Sequence, residues 1–306
     1  MNIRLLKLRY WLAAGRSKAW LFARHPETLL FYFRHYSIEK RAAGRVAVNV
    51  VSYPKSGRTW LELLLLAALG HHCNESFGDE ATYSNVAAGF DDVPLVAFTH
   101  AGGSWETATL TADEIARYVP RNIVDGRFIY LYRDPRDVLV SAYHHARNRS
   151  GISWLTPQDM LDDPIMGLPK LTAFMNSWTR QVESAGERAM RVSYERLKAA
   201  PQQTFAELSR FIGLPFSADD IDKAVEDCSF ERLRQRELTT STANPWLRPA
   251  DRDNPDSFKF REGRSGGYRS FFTPAQIQWI EAYMAEHLLG ADEFLSADHR
   301  IESVET

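Results

Sequence analysis

Val46-Ala47-Val48-Asn49-Val50-Val51-Ser52-Tyr53-Pro54-Lys55-Ser56-Gly57-Arg58-Thr59-Trp60 passes from an uncharged, β-branched run into an octet of small, polar and basic residues. The opening run reads as a buried parallel strand. Leu61, Leu64, Leu65 and Leu69 then recur at helical spacing, so residues 53–60 make the turn between the carboxyl end of a strand and the amino end of a helix. Such a turn leaves backbone N–H groups unpaired beside the positive end of a helix dipole, and Lys55, Ser56 and Thr59 add a charge and donors. The combination suits an anion such as phosphate.

Two other readings stand beside this one. A nucleotide loop of the form G-x-x-x-x-G-K-[ST] places its Lys after two glycines, whereas Lys55 precedes the only glycine of the turn, Gly57, which disfavours metal-assisted hydrolysis of a triphosphate. An ordinary strand-to-helix turn without a ligand is the other.

Downstream, residues 93–99, 127–132 and 189–193 are further apolar strand candidates separated by helical patterns, which implies an α/β fold with a central, mainly parallel sheet flanked by helices. In open sheets of this kind ligands sit beyond the carboxyl ends of the strands, where His100 is expected after the second strand and Arg133 after the third. Asp134 is a good N-cap and Pro135 a good first residue for a helix to about Asn148, which carries Ser141 about two turns in. Further helices are expected from Thr111, over 171–185, from Pro201 to Gly213, from Ser217 and from Thr273-Pro274. Residues 237–260, broken by Pro245, Pro249 and Pro255, read as a mobile cover.

The chain of 306 residues is long enough for one substantial core, and 44% hydrophobic with 25% charged residues is ordinary for a globular protein. Its net charge of -2 conceals an asymmetry: residues 1–45 hold 10 Lys and Arg against 2 acidic residues. The three expected parts are a basic, aromatic-rich helical extension (1–45), a single domain (46–292) and a frayed tail (293–306). Leu, Trp and Phe of the extension are interrupted by basic residues too often for a spanning helix, but they suit peripheral contact with an anionic membrane surface or, equally, a cap over the core. The candidate anion-binding residues of the body are confined to short loops instead of forming a continuous stripe, which argues against a nucleic-acid partner. The two cysteines, Cys73 and Cys228, give no disulfide framework and point to a reducing cytoplasm. His71-His72-Cys73 directs adjacent side chains apart, so no metal site is expected there.

Three segments together carry a family resemblance. Residues 53–60 resemble the Y-P-K-S-G-T-T-W loop of the sulfotransferases that use 3′-phosphoadenosine 5′-phosphosulfate (PAPS); Arg133-Asp134-Pro135-Arg136-Asp137-Val138-Leu139-Val140-Ser141 resembles that family's 3′-phosphate segment. Arg261-Glu262-Gly263-Arg264-Ser265-Gly266-Gly267-Tyr268 resembles its late R-K-G-x-x-G-D-W loop, and the three stand in family order. The resemblance implies a P-loop-like nucleotide-binding domain that binds PAPS through Lys55, Ser56, Gly57, Arg58, Thr59, Trp60, Arg133, Ser141, Tyr194, Phe230, Arg261, Glu262 and Gly263. It further implies no metal, His100 as the catalytic base, Lys55 at the leaving phosphate and Ser141 restraining Lys55. The sequence departs from the family at Arg58 and Cys228 (both usually Thr), at Glu262 (usually Lys) and at Phe98, where the family has a second lysine.

The implied reaction moves a sulfuryl group from PAPS to a small-molecule hydroxyl acceptor, apolar, aromatic or lipid-like, by in-line displacement with a histidine base. Trp105, Trp154, Trp178, Tyr83 and Phe90 are candidate walls for it. The competing readings are an ATP-dependent phosphoryl transferase and a non-catalytic protein that binds adenosine 3′,5′-bisphosphate (PAP).

Overall fold

The computed structural model describes residues 2–106, 110–239, 244 and 247–296. Among these, β1 (Val46–Ser52), β2 (Leu95–Thr99), β3 (Phe128–Tyr132) and β4 (Ala189–Ser193) form one sheet in the order β2-β1-β3-β4. All pairs are parallel: Val50 stands opposite Phe98 on one side and Ile129 on the other, and Leu131 opposite Val192. Strand β3 shows why both faces must be covered. Phe128, Tyr130 and Tyr132 enter one core while Ile129 and Leu131 enter the other, and all five are buried.

The helix α3 (Arg58–Cys73) follows β1 directly, as its leucine spacing predicts. Leu61, Leu64, Leu65 and Leu69 pack on Val48, Val50 and Ile129. On the opposite face lie the helices Pro135–Asn148, Leu168–Ala185 and Pro274–His287. The predicted caps form: Asp134 accepts from the Arg136 N–H, while Thr111, Ser217 and Thr273 each make a reciprocal capping box. His71 and His72 at the end of α3 face Asp227 at 2.8 Å and Asp220 at 3.5 Å.

The basic extension forms α1 (Ile3–Arg24) and α2 (Glu27–Ala42). A stripe of α1 at helical spacing, Leu6, Tyr10, Ala13 and Ala14, is buried on the domain, and the Tyr10 hydroxyl donates to Asp163 at 2.8 Å. Lys7 pairs with Glu114 at 2.6 Å, and the Ser17 hydroxyl donates to the Arg149 carbonyl at 2.7 Å. The extension therefore packs on the core along one face, yet Leu5, Leu8, Trp11 and Leu12 of α1 and Leu29, Leu30, Phe33 and Tyr36 of α2 are exposed.

At the other end Phe294 is buried, and Glu293 accepts from the Tyr132 hydroxyl and pairs with Arg191 at 2.7 Å. The expected frayed tail lies, from residue 297 on, outside the described residues. So do residues 240–243 and Pro245 of the expected cover. Its described part is tied down, since Arg248 pairs with Glu27 at 3.0 Å and Glu237 accepts the N–H groups of Lys259 and Phe260 at 2.7 and 3.0 Å.

Candidate active site

A cavity of about 1180 Å³ opens at the carboxyl ends of the strands, and all three motif segments reach it. At one end tight turns of the main chain shape it. Lys55 (φ 76°) and Gly57 (φ 97°) hold the turn after β1 in the left-handed region, an outlier for lysine of the kind that concentrates at functional sites. A Cβ on Gly57 would stand 2.6 Å from the Tyr194 ring, which lies edge-on to Trp60 and beneath the Arg133 guanidinium. Gly263 repeats the device: at φ 62° it lets Phe230 approach so closely that a Cβ would meet the ring at 2.2 Å. The Trp60 indole donates to the Cys228 carbonyl at 2.9 Å, so backbone positions this ring and the buried Cys228 thiol takes no part.

The second and third segments are locked together. Asp137 accepts from the Gly266 and Tyr268 N–H groups at 2.8 and 3.2 Å, and Arg133 donates to the Arg264 carbonyl at 3.2 Å. Among the described residues the Arg133 Nε is buried without a partner. Arg261 pairs with Glu262 and stands 3.7 Å from Asp256, while Glu262 also accepts from Arg264 at 2.8 Å. The carboxylate at position 262 thus holds two arginines in place. This end can take a ligand with two anionic groups, one at the start of α3 and one among Arg133, Ser141, Arg261 and Gly263. Trp60, Tyr194 and Phe230 supply flat faces beside it.

The reactive side chains stand at the middle of the cavity. His100 Nδ1 lies 2.8 Å from the Ser52 carbonyl, an acceptor only, so this nitrogen carries the proton and Nε2 keeps the lone pair. Burial, and then the charge of Arg58, push His100 well below the ordinary histidine pKa of 6.5, so the ring is neutral at pH 7. The Lys55 ammonium lies 3.4 Å from His145 Nδ1, and His145 Nε2 lies 3.5 Å from Glu106. Burial and Lys55 push His145 down to about 3, so it is a neutral acceptor for the lysine. Lys55 itself is pulled well below its usual range by burial and then by Lys259, Arg149 and Arg133.

Every residue singled out in the three segments, together with His100, Tyr194 and Phe230, lies at this cavity except Ser56, which is buried inside the turn. Ser141 lines it too, but among the described residues no hydrogen bond joins Ser141 to Lys55; the lysine meets His145 instead. Of the five aromatic candidates for the acceptor wall only Trp105 is there. Trp178 and Tyr83 are core, Trp154 packs on Tyr10, and Phe90 packs against the core below β1. The wall is completed by Trp20, Leu21 and Tyr32 of α1 and α2, with Phe98, Glu106, His145, Arg149 and Lys259. No local spacing marks these residues.

Comparison with known proteins places this architecture. Residues 47–292 match the model of the sulfotransferase domain. A flavonol 3-sulfotransferase of Flaveria bidentis is 26% identical over 79% of this chain and 81% of its own length. Cytosolic sulfotransferase 17 of Arabidopsis thaliana is 26% identical over 81% of this chain and 75% of its own. The crystal structure of a mouse sulfotransferase, SULT7A1, complexed with PAP shares the fold at a TM-score of 0.57 and 18% identity, over 84% of this chain and 89% of that one.

Proposed function

This chain belongs to the sulfotransferase-domain family and is a PAPS-dependent sulfotransferase acting on a hydroxyl acceptor, and from that premise we propose that His100 is the base that takes the acceptor proton. The observation that carries the proposal is the bond from His100 Nδ1 to the Ser52 carbonyl, which fixes the tautomer and leaves a neutral Nε2 in the cavity that also holds Lys55.

The residues at the nucleotide end fit PAPS. Gly57 and Gly263 let the Tyr194 and Phe230 rings close against the two loops, and Arg133, whose Nε is buried with no partner among the described residues, reaches the carbonyls of Lys55 and Arg264 and so stands between the phosphate-binding segments. Lys55, Ser56, Arg58, Thr59 and the start of α3 would hold the 5′-phosphosulfate; Arg133, Ser141, Arg261 and the backbone at Glu262 and Gly263 would hold the 3′-phosphate. Trp60, Tyr194 and Phe230 would flank the base. The bound nucleotide supplies the sulfuryl group, and the chain does the rest. His100 withdraws the acceptor proton through Nε2. The Lys55 ammonium neutralises charge growing on the phosphate oxygen that leaves, and the resting contact with His145 keeps it turned aside until then.

The acceptor is an apolar, aromatic or lipid-like alcohol, a reading supported by Trp20, Leu21, Tyr32, Phe98 and Trp105 in the wall and by the flavonol acceptor in the name of the Flaveria relative. The site is a cytoplasmic one at an anionic membrane surface, and α1 and α2 make the contact. Their exposed leucines and aromatics are interleaved with exposed Arg4, Arg16, Arg24 and Arg34. Transfer of labelled sulfate from PAPS to a panel of phenols and amphiphilic alcohols tests the chemistry, and no transfer to any member counts against it. Flotation with phosphatidylserine vesicles but not with pure phosphatidylcholine tests the surface; equal flotation with both rejects it.

A further inference from the structure

The acceptor end of the cavity is more cationic than an uncharged alcohol requires. Lys18, Arg149, Arg248 and Lys259 line it, Arg58 at the start of α3 borders it from the nucleotide end, and among the described residues the one carboxylate lining this end is Glu106. Glu106 is already engaged, accepting from the Ser150 hydroxyl and facing His145. Arg248 is matched by Glu27 at 3.0 Å. Glu237, behind the wall, stands 4.0 Å from Arg149 but accepts the backbone N–H groups of Lys259 and Phe260.

Lys259 is left over. Its ammonium makes no ion pair or hydrogen bond among the described residues, although it lies in the cavity wall with Arg149 and Arg58 as its charged neighbours and only the engaged Glu237 and Glu106 to offset them. Lys259 is half-buried in this wall, and burial, then the charges of Arg149 and Arg58, push it down to about 7, so an anion bound there would favour its charged form. Apolar surface from Trp20, Leu21, Tyr32 and Phe98 surrounds the cluster, so what enters has an apolar body.

We infer that the acceptor carries, besides the hydroxyl that is sulfated, an anionic group of the carboxylate, sulfate or phosphate kind, bound by Lys259 with Arg58 and Arg149 beside it. The inference rests on the sulfotransferase reading of the same cavity and narrows its acceptor class. It predicts charge selectivity between alcohols of the same size and shape.

The test uses the full chain saturated with PAP and two matched pairs titrated by calorimetry: ω-hydroxydodecanoate against its methyl ester, and para-hydroxyphenylacetate against its methyl ester. In at least one pair the acid is expected to bind tenfold or more tightly than the ester, and Lys259→Met should erase most of that difference. PAP affinity, read first in each titration, reports the nucleotide end and the fold of the variant. Acids binding no better than esters in both pairs, or not at all, overturn the inference while PAP binding leaves the transferase reading standing. A selectivity that Lys259→Met leaves intact overturns the assignment to this cluster. Failure to bind PAP removes both readings.

Discussion

At the nucleotide end of the cavity the lining residues are set by main-chain turns: the turn 53–60, the start of the helix Pro135–Asn148 and the loop 261–268 pinned to Asp137. At the acceptor end the wall is made of side chains from α1, α2, residues 104–106, Arg149 and residues 248–259. A main-chain cradle demands particular residues at fixed offsets, since only glycine leaves the space that Tyr194 and Phe230 occupy and only proline suits the first helical position while lacking an N–H. A side-chain wall makes no such demand; any group of the right size and charge on the right element serves. Substitutions at the two ends should therefore fail in different ways.

The largest effect belongs to the point where the ends meet. His100→Ala should lower turnover by about 10² to 10⁴ with PAP affinity unchanged by calorimetry, and near-normal turnover would remove His100 from the role. Lys55→Ala comes next, with a loss of about 10² to 10³ at saturating PAPS together with weaker nucleotide binding. A rate unchanged at saturation would mean that Lys55 only binds. Within the nucleotide end, Gly263→Ala forces a Cβ into Phe230 at a left-handed φ, with strain of about 1–3 kcal/mol, and should weaken PAP on the order of tenfold while the acceptor KM holds. Trp20→Ala should do the reverse, raising the acceptor KM several-fold and leaving the PAPS KM alone; movement of both constants would erase the division drawn above.

The smallest expected change is a shift in pH dependence. His100 must be neutral to act, and its pKa in the folded protein lies below 6.5, so the acid limb appears as the ring protonates below that value, while Lys55, which must be charged and whose pKa is pulled well below the usual lysine range, sets the basic limb. Arg58→Met removes a cation that disfavours imidazolium, and the acid limb should move up towards 6.5. A limb that stays in place would mean burial alone sets the value.

The same division explains what could be read from the sequence. The parallel sheet, the caps at Asp134, Thr111, Ser217 and Thr273, and the anion-binding turn after β1 follow from local rules, each needing a certain residue within a few positions of another, whereas Tyr194, Phe230 and Arg261 were singled out only by the family resemblance. Trp154, Trp178, Tyr83 and Phe90 were plausible walls on residue type alone, yet packing, which local spacing does not encode, sends them to the core or its flank. Likewise nothing near position 145 announces that its side chain meets Lys55, nor anything near position 259 that its side chain lines the same cavity. Those juxtapositions arise from elements more than 85 residues apart, as between Lys55 and His145, separated by 90 positions.

The clasp between Asp137 and the N–H groups of Gly266 and Tyr268 joins parts of the chain 129 and 131 residues apart. During synthesis, then, the nascent protein cannot assemble its nucleotide cradle until Tyr268 has left the ribosome. Free PAPS is no help to a growing chain. It stabilises only finished molecules by mass action, and any truncation upstream of Gly266 yields a product that ligand cannot rescue.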